Sequence, residues 1–428
     1  MDISVVIPVL NEADNMRSLL PELEDVLSGL GCSFEILVID GGSTDTTRQV
    51  AASCGATVIS QREKGYGVAV REGIGAARGD FIITMDGDLS HRPAFVARMW
   101  EARHRAGLII GSRYIPEGSA QMPLHRYILS IILNAFFAVG LSIAVKDISS
   151  GYRMYNRKIF AEIDIEARDF EVQQELLIKA IARGWRVLEV PFHYRARGRG
   201  LSHARLLRFG WRYIVTFVRM WRLRNSVSGA DYDERACASR MPQRRYWYRR
   251  RHNTVFHLLD NARRVTKVLD VGCGTGRIIM DMPAAYALDI NFYKLRYLKR
   301  THRLLVQARG EALPFYAGSF DCVICTEVIA HTREADLLDE VGRVLRPGGI
   351  LILSTADSGT LMRRVLRLLH GLINADRYTD IQTTRYTCRY LKAILEGRGY
   401  DILECRRLLN AHFTLKAQKR GDILCQAG

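Results

Sequence analysis

Two separate runs of alternating strand and helix signals govern what this chain can fold into. In the first, Ile3–Pro8, Phe34–Asp40, Thr57–Ser60, Phe81–Asp86 and Gly107–Gly111 are short apolar strands. A helical stretch from Glu12 to Leu27 follows the first strand, with Leu19, Leu20, Leu23 and Leu27 on one face. Strands separated by helices of this length pair in parallel and build an α/β layer fold. A second alternation begins near Lys267, with strands at Val268–Val271, Tyr286–Asp289, Phe320–Cys325 and Gly349–Ser354. Sheets of this kind bind ligands outside the carboxyl ends of their strands. Asp40 and Asp86 lie there in the first run, and a glycine turn lies there in the second.

The chain has 428 residues, 48% hydrophobic and 25% charged, which excludes disorder as its dominant state and a small stapled scaffold. Its formal charge of +17 calls for an anionic partner. The surplus is local: Arg195 to Arg264 holds 18 arginines, no lysine and four acids. This block falls between the two alternations. The expected organisation is therefore a first domain over 1–225, a basic linker over 226–254 and a second domain over 255–428. Nine scattered cysteines without metal-type spacing suit a reducing, cytosolic compartment. Cys322 and Cys325 have Cys-x-x-Cys spacing but sit in a strand-like run and are expected to be buried on opposite faces. Asp2 follows Met1 and the first apolar run stops at Asn11-Glu12, so no signal peptide is expected.

Asp86-Gly87-Asp88 directly follows a buried strand. Two carboxylates so placed can both reach one hard divalent cation and leave positions for phosphate oxygens. A lone Asp-x-Asp is also an ordinary solvated turn, but here it has company. Asp40 ends an earlier strand, where it can grip a base or ribose. Asn11-Glu12 opens the first helix, and Lys64-Gly65-Tyr66-Gly67 could form a flexible phosphate-side loop. With Val5–Pro8, Val38–Asp45, Met85–Pro93, Gly111–Tyr114, Ser150–Tyr155, Gln173 and Glu175, Glu189–Phe192 and Arg197–Ser202, the pattern resembles glycosyltransferase family 2 over residues 1–225. Within it the chain is most similar to dolichol-phosphate mannose synthases and other polyprenyl-phosphate glycosyltransferases. Gly87 stands where the family has alanine, and His203 where it has lysine.

The resemblance implies a GT-A-type nucleotide-sugar-binding fold. It implies donor-nucleotide contacts from Pro8, Asn11, Glu12, Asp40 and Lys64, and a Mg2+ or Mn2+ ion on Asp86 and Asp88. Asp88, Arg113, Arg153 and Arg197 would be catalytic, and Gln173, Glu175 and Ser202 would lie on the acceptor-phosphate side. An acceptor phosphate is already ionised near neutral pH and needs no general base, only guanidinium groups that place it and a metal at the leaving diphosphate. The expected reaction is inverting transfer of mannose from GDP-mannose to a polyprenyl or dolichyl phosphate. UDP-glucose, UDP-GlcNAc or a non-lipid acceptor are the alternatives.

Tyr127–Val145 is an uncharged run of 19 residues, long enough to cross a bilayer of roughly 30 Å. A single span would put the metal loop and the Ser150–Tyr155 motif on opposite sides, so an interfacial helix is expected, with a buried core helix as the alternative. Residues 204–224 carry arginines at 205, 208, 212, 219, 222 and 224 among Trp211, Trp221 and aliphatic residues, which suits an anionic lipid surface. The expected location is cytoplasmic, peripherally attached to a membrane.

In the second half, Val268–Arg277 reads as strand, glycine turn and helix start. Asp289 ends the next strand, where it can accept both ribose hydroxyls, and Glu311 is placed near an adenine amino group. Together these resemble Rossmann-like class I S-adenosylmethionine-dependent methyltransferases. The resemblance implies S-adenosylmethionine binding by Asp270, Gly272, Gly274, Gly276, Asp289 and Glu311, with the methyl acceptor unassigned and His331 a candidate base. A reading of another class, a basic RNA-binding methyltransferase, would use Arg244–Arg251 with its interleaved aromatics. It leaves the first-half motifs unexplained, so nucleic acid is not expected as a partner.

Overall fold

The computed structural model describes residues 1–195, 206–260, 267–362 and 385–421, with the backbone alone at 206–209 and 260. The chain divides into two compact units, Met1–Arg224 and Asn225–Gly428. In the first, β1 (Ile3–Val9), α1 (Ala13–Gly29), β2 (Phe34–Asp40), α2 (Thr47–Ser53), β3 (Thr57–Ser60), α3 (Tyr66–Ala76) and β4 (Phe81–Thr84) alternate as the sequence predicts. Then come α4 (Phe95–Ala102), β5 (Leu108–Ser112), β6 (Ser119–Gln121), α5 (Leu124–Leu141), β7 (Arg153–Asn156), α6 (Val172–Ala182), β8 (Val187–Pro191), β9 (His193–Arg195) and α7 (Leu206–Asn225).

The main sheet has the order β3-β2-β1-β4-β7-β5-β8. Its strands β1, β2 and β4 are near-continuous apolar runs because both faces are covered. Leu19, Leu20, Leu23 and Leu27 of α1 pack on one face with Met99 of α4. Val70, Ile74, Phe137 and Leu176, from α3, α5 and α6, pack on the other. One strand departs from parallel pairing: β7 runs antiparallel to both β4 and β5. The chain turns back at β1, so the crevice outside β1 and β4 is the place for a ligand. Asp40 and Asp86 flank it.

The second unit holds α8 (Tyr232–Cys237), α9 (Pro242–Asp260), β10 (Val268–Val271), β11 (Tyr286–Asp289), α10 (Phe292–Leu298), β12 (Leu305–Gln307), β13 (Phe320–Thr326) and α11 (Glu334–Val344). It continues with β14 (Leu345–Ala356), α12 (Cys388–Gly397), β15 (Tyr400–Leu408) and β16 (His412–Lys419). Its sheet order is β12-β11-β10-β13-β14-β16-β15, parallel from β12 to β14 and antiparallel at β16 and β15. Cys322 and Cys325 are buried in β13 in core clusters on opposite faces, and burial raises both thiols, Cys322 to about 12.

The expected linker at 226–254 is instead largely helical. Charge hid this, because the arginines dominate α9 while its apolar stripe is confined to its last turns. Val255, Leu258 and Leu259, spaced for one helix face, are buried, and the Lys416 ammonium of β16 donates to the Leu258 carbonyl at 2.9 Å.

Gly73 shows how tightly α3 lies on the first sheet. A Cβ there would come 2.3 Å from Val6 Cγ1 and 3.1 Å from Ile39 Cγ1. Helix propensity alone favours alanine by about 1 kcal/mol. Overpacking opposes it by about 1–3 kcal/mol. Gly73→Ala should therefore lower the urea midpoint of the first unit's unfolding, followed by tryptophan fluorescence. An unchanged or raised midpoint would show that α3 can shift.

Candidate active sites

The Asp86–Asp88 loop of the first unit, expected to hold a metal, follows β4. The buried Asp88 carboxylate accepts the Ser90 amide at 3.1 Å and the Ser90 hydroxyl at 2.5 Å. Asp86 is half-buried. Its Oδ1 accepts the Tyr66 hydroxyl at 3.0 Å, and its backbone N–H donates to His91 Nδ1 at 2.8 Å. Burial lowers the pKa of His91, which keeps Nδ1 an acceptor, and the ring stacks on Tyr152. Among the described residues no group of three or more histidine, cysteine or acidic side chains could hold a metal. Two carboxylates still fit a divalent ion whose other positions go to diphosphate oxygens. Gly87 has no room for the family's alanine here, since a Cβ would come 2.8 Å from Val9 Cγ1 and 2.9 Å from Met16 Cε.

Of the residues expected to contact a nucleotide, Asp40 is buried at the end of β2. It accepts the Gly42 and Ser43 amides and lies 3.5 Å from Arg48 Nε. Asn11, at a left-handed φ of 56°, accepts the Thr44 amide at 2.8 Å, and its own N–H donates to Ser43 Oγ. The Glu12 amide donates to Thr47 Oγ1. Pro8 is half-buried in β1 and Lys64 is exposed. Of the expected loop 64–67, Lys64 and Gly65 precede α3, while Tyr66 and Gly67 are its first residues. Gly65, at φ 139°, leaves only 2.3 Å between a would-be Cβ and the Arg168 carbonyl. Arg197 and Ser202, like His203, lie outside the described residues.

Three expected roles change. Arg153 is fully buried, and its guanidinium donates to the carbonyls of Ser150, Gln173 and Ile148 at 2.6–2.7 Å, so it is committed to the backbone and not to a phosphate. Glu175 is buried at the start of α6, bound by Lys179 at 2.6 Å and Arg219 at 3.2 Å, and accepts the Ala167 amide. An anion held in this way positions chain and does not receive an acceptor phosphate. Arg212, Arg219 and Arg224, expected as lipid anchors, also turn inward: to Asp169, to Glu166 and Glu175, and to the Leu141 and Ser142 carbonyls. Gln173 connects to Asp86 only through Tyr66, donating to the Tyr66 hydroxyl at 3.3 Å.

Arg113 is nearly buried in a two-pronged pair with Asp147, each contact 2.7 Å, and also reaches Ser149. Burial opposes its charge, but Asp147 more than compensates and raises its pKa. It lines an open cavity of about 420 Å³ with Ser119, Met122, Leu124 and Tyr127. Sequence reasoning missed Asp147 and the roles of Tyr66 and Gly151. A Cβ on Gly151 would meet the Tyr66 hydroxyl at 3.1 Å and Gln173 Nε2 at 3.4 Å.

In the second unit, Gly272, Gly274 and Gly276 all have φ near +60 to +70°, where side chains are disfavoured. Asp289 accepts the Gly274 amide at 2.9 Å and the Asn291 amide at 2.8 Å, and a carboxylate retains further lone pairs for ribose hydroxyls. Asp270 is fully buried and neither carboxyl oxygen has a partner. Burial, then the Asp289 charge, pushes its pKa well up. This orphaned acid before a left-handed glycine turn fits a nucleoside cofactor carrying polar groups. Glu311 is half-buried in the turn after β12, and a Cβ on the adjacent Gly310 would lie 3.4 Å from Val271. Asp233 of α8, unforeseen from sequence, covers the turn: a Cβ on Gly274 would lie 2.6 Å from its Oδ2, which Lys294 neutralises from 3.7 Å. His331 ends a short 3-10 turn after β13.

The two α/β units are a glycosyltransferase family 2 domain followed by a methyltransferase domain. The glycosyl transferase family 2 model matches residues 4–164 and a methyltransferase-domain model matches 269–353. The polyprenol monophosphomannose synthase of Mycolicibacterium smegmatis is 33% identical over 213 residues, covering 46% of this chain and 79% of that protein. The dolichol-phosphate mannosyltransferase of Pyrococcus furiosus is 32% identical over 211 residues, covering 47% of this chain. This chain spans 59% of that relative's length. A solved glucosyl-3-phosphoglycerate synthase from Mycobacterium tuberculosis, in complex with Mn2+ and UDP, aligns with a TM-score of 0.43 at 23% identity, over 51% of this chain and 79% of that one. The chain belongs to glycosyltransferase family 2, with a methyltransferase domain as its second part.

His252 of α9 ties the second unit's stability to pH. It is buried against Cys237 Sγ at 3.3 Å, and burial, then the Arg251 charge, lowers its pKa from 6.5 to about 4. Below pH 6.5 the unfolded chain takes up a proton that the folded unit refuses. This stability is complete above 6.5 and should fall by about 3 kcal/mol as pH drops to 4. Thermal unfolding between pH 7 and 4 should show the loss, and His252→Gln should flatten it. An equal slope in the variant would assign the loss elsewhere.

Proposed function

We propose that the first unit transfers mannose from GDP-mannose to a polyprenyl or dolichyl phosphate at the cytosolic face of a membrane, and that the second is an S-adenosylmethionine-dependent methyltransferase. The observation that carries the first part is the Asp86–Asp88 loop after β4, in a sheet whose strand β2 ends at Asp40 and whose strand β5 leads into Arg113. A divalent ion bound there would stabilise the leaving diphosphate. Asp40 and the amides it organises hold the nucleotide. Arg113, kept charged by Asp147, places the acceptor phosphate from the cavity it lines. The phosphate attacks as an anion, so no side chain must take a proton, and in-line attack inverts the anomeric carbon.

The lipid part rests on exposed apolar surface. α5 is long and apolar enough to cross a membrane, yet 17% of it is buried, so it is not a core helix. β5, earlier in the chain, and β7, the next strand after α5, are hydrogen-bonded neighbours with Ile109 opposite Met154. A bilayer cannot separate paired strands, so α5 leaves and returns on one side. Phe136 and Phe137 of α5 contact Phe217 of α7. Ile128, Ile132 and Val139 are exposed on α5, as are Trp211, Ile214 and Val218 on α7. Each such side chain contributes about 1.5–3 kcal/mol when fully buried. A basic residue near an anionic surface contributes about 1 kcal/mol. With Arg212, Arg219 and Arg224 turned inward, the apolar term dominates. Attachment should persist in high salt and be released by detergent, as fractionation would measure. Release by salt alone would count against the apolar helices.

Sugar transfer is tested with a panel of labelled nucleotide sugars on vesicles containing polyprenyl phosphate. Label from GDP-mannose should become organic-extractable. Asp88→Ala should lower this by about a hundredfold or more. Label appearing only in water-soluble product would overturn the lipid acceptor, and extraction of UDP-sugar label instead would overturn the donor. For the second unit, Asp289→Ala should weaken S-adenosylmethionine binding in calorimetry; unchanged affinity would displace the cofactor site.

A further inference from the structure

Tyr66 connects the metal loop to a segment of chain that the membrane-facing helix α7 holds. Its hydroxyl donates to Asp86 at 3.0 Å and accepts from Gln173. Burial, then the Asp86 charge, raises its pKa, so it stays a neutral donor. Its ring stacks on Phe170, centroids 4.6 Å apart at 16°. The backbone beneath it is fixed to the same segment, since the Gly67 and Val68 amides both donate to the Arg168 carbonyl. Segment 166–171 is in turn held from α7. Arg212 pairs with Asp169, and Arg219 pairs with Glu166 at 2.7 Å and with Glu175 at 3.2 Å. Glu175 also accepts the Glu166 and Ala167 amides. Trp211, Ile214 and Val218 on this same α7 are exposed.

We propose that Tyr66 is the positioning residue for the metal carboxylate Asp86, and that a lipid surface on α7 tightens the metal site through segment 166–171. The inference rests on the proposed reaction and adds regulation to its first site. Arg212 and Arg219 are each about one-third solvent-accessible. Laying the apolar face of α7 into lipid removes water beside both pairs, and charge attraction strengthens as the local dielectric falls. A firmer segment holds Phe170, and with it Tyr66, against the metal loop. Linkage makes the effect reciprocal: metal and nucleotide tighten attachment by the factor that lipid tightens metal binding.

The test titrates the full chain with Mn2+ in the presence of GDP, and separately UDP, reading free Mn2+ by electron paramagnetic resonance. Each titration is run with and without phosphatidylglycerol–phosphatidylcholine vesicles, and vesicle binding is scored by cosedimentation. In the parent, vesicles should tighten Mn2+ binding by about fivefold or more, and Mn2+ with nucleotide should tighten cosedimentation equally. Tyr66→Phe and the double variant Arg212→Gln, Arg219→Gln should still cosediment but lose the vesicle effect. Phe170→Tyr, which keeps the stacked ring, should retain it, and Phe170→Ala should not. Vesicle binding with unchanged Mn2+ affinity in the parent would overturn the coupling and leave the proposed function standing. Failure to bind vesicles, or Mn2+ with either nucleotide, would overturn both.

Discussion

A buried guanidinium holds the donor side of the first unit together. Arg153 enters from the antiparallel strand β7 and donates to the carbonyls of Ile148, Ser150 and Gln173. These carbonyls belong to the loop before β7 and to the start of α6, which otherwise share no ladder. Charged donors make hydrogen bonds roughly twice as strong as neutral ones, and a buried charge is tolerated only when so satisfied. Gly151 sits inside this grip, its carbonyl bound by Thr84 Oγ1 at 2.8 Å and its open Cβ side facing Tyr66 and Gln173. The geometry behind Asp86 is thus set by an arginine that never meets solvent.

The two alternations, the strand-end acids and the glycine turn were legible because they are local. A strand declares itself by its run of apolar residues, and the residue after it lies at a known edge of the sheet. Arg153 and Glu175 were legible in type but not in role, because role depends on partners distant in sequence: Gln173 for one, Arg219 for the other. Antiparallel β7 was not legible as a strand, since Arg153-Met154-Tyr155-Asn156 is too short and too polar to read as an apolar run. The arginine block misled because net charge averages over a helix. α9 is polar over most of its length, and its three buried apolar residues, Val255, Leu258 and Leu259, fall near its end.

The two sites handle acidic groups in opposite ways. In the first, Asp40, Asp86 and Asp88 sit at strand ends with hydroxyls, amides and one arginine around them. In the second, Asp270 lies inside the sheet with nothing to accept from, and its pKa rises. Asp289 beside it instead accepts the Gly274 and Asn291 amides, so the second site holds one orphaned acid and one that the backbone satisfies within one strand-turn-strand unit.

The placement of β7 also orders the assembly of the first unit in time. β4 and β5 are synthesised early but are not neighbours; β7 lies between them and comes later in the chain. The sheet cannot close until residue 156 has emerged, and the whole of α5 is made within that interval. An apolar helix is therefore presented to the surroundings before the sheet that anchors it exists. Aggregation during that window is a hazard for exposed apolar segments. A nascent chain that meets a lipid surface at this stage covers the helix before the fold is finished.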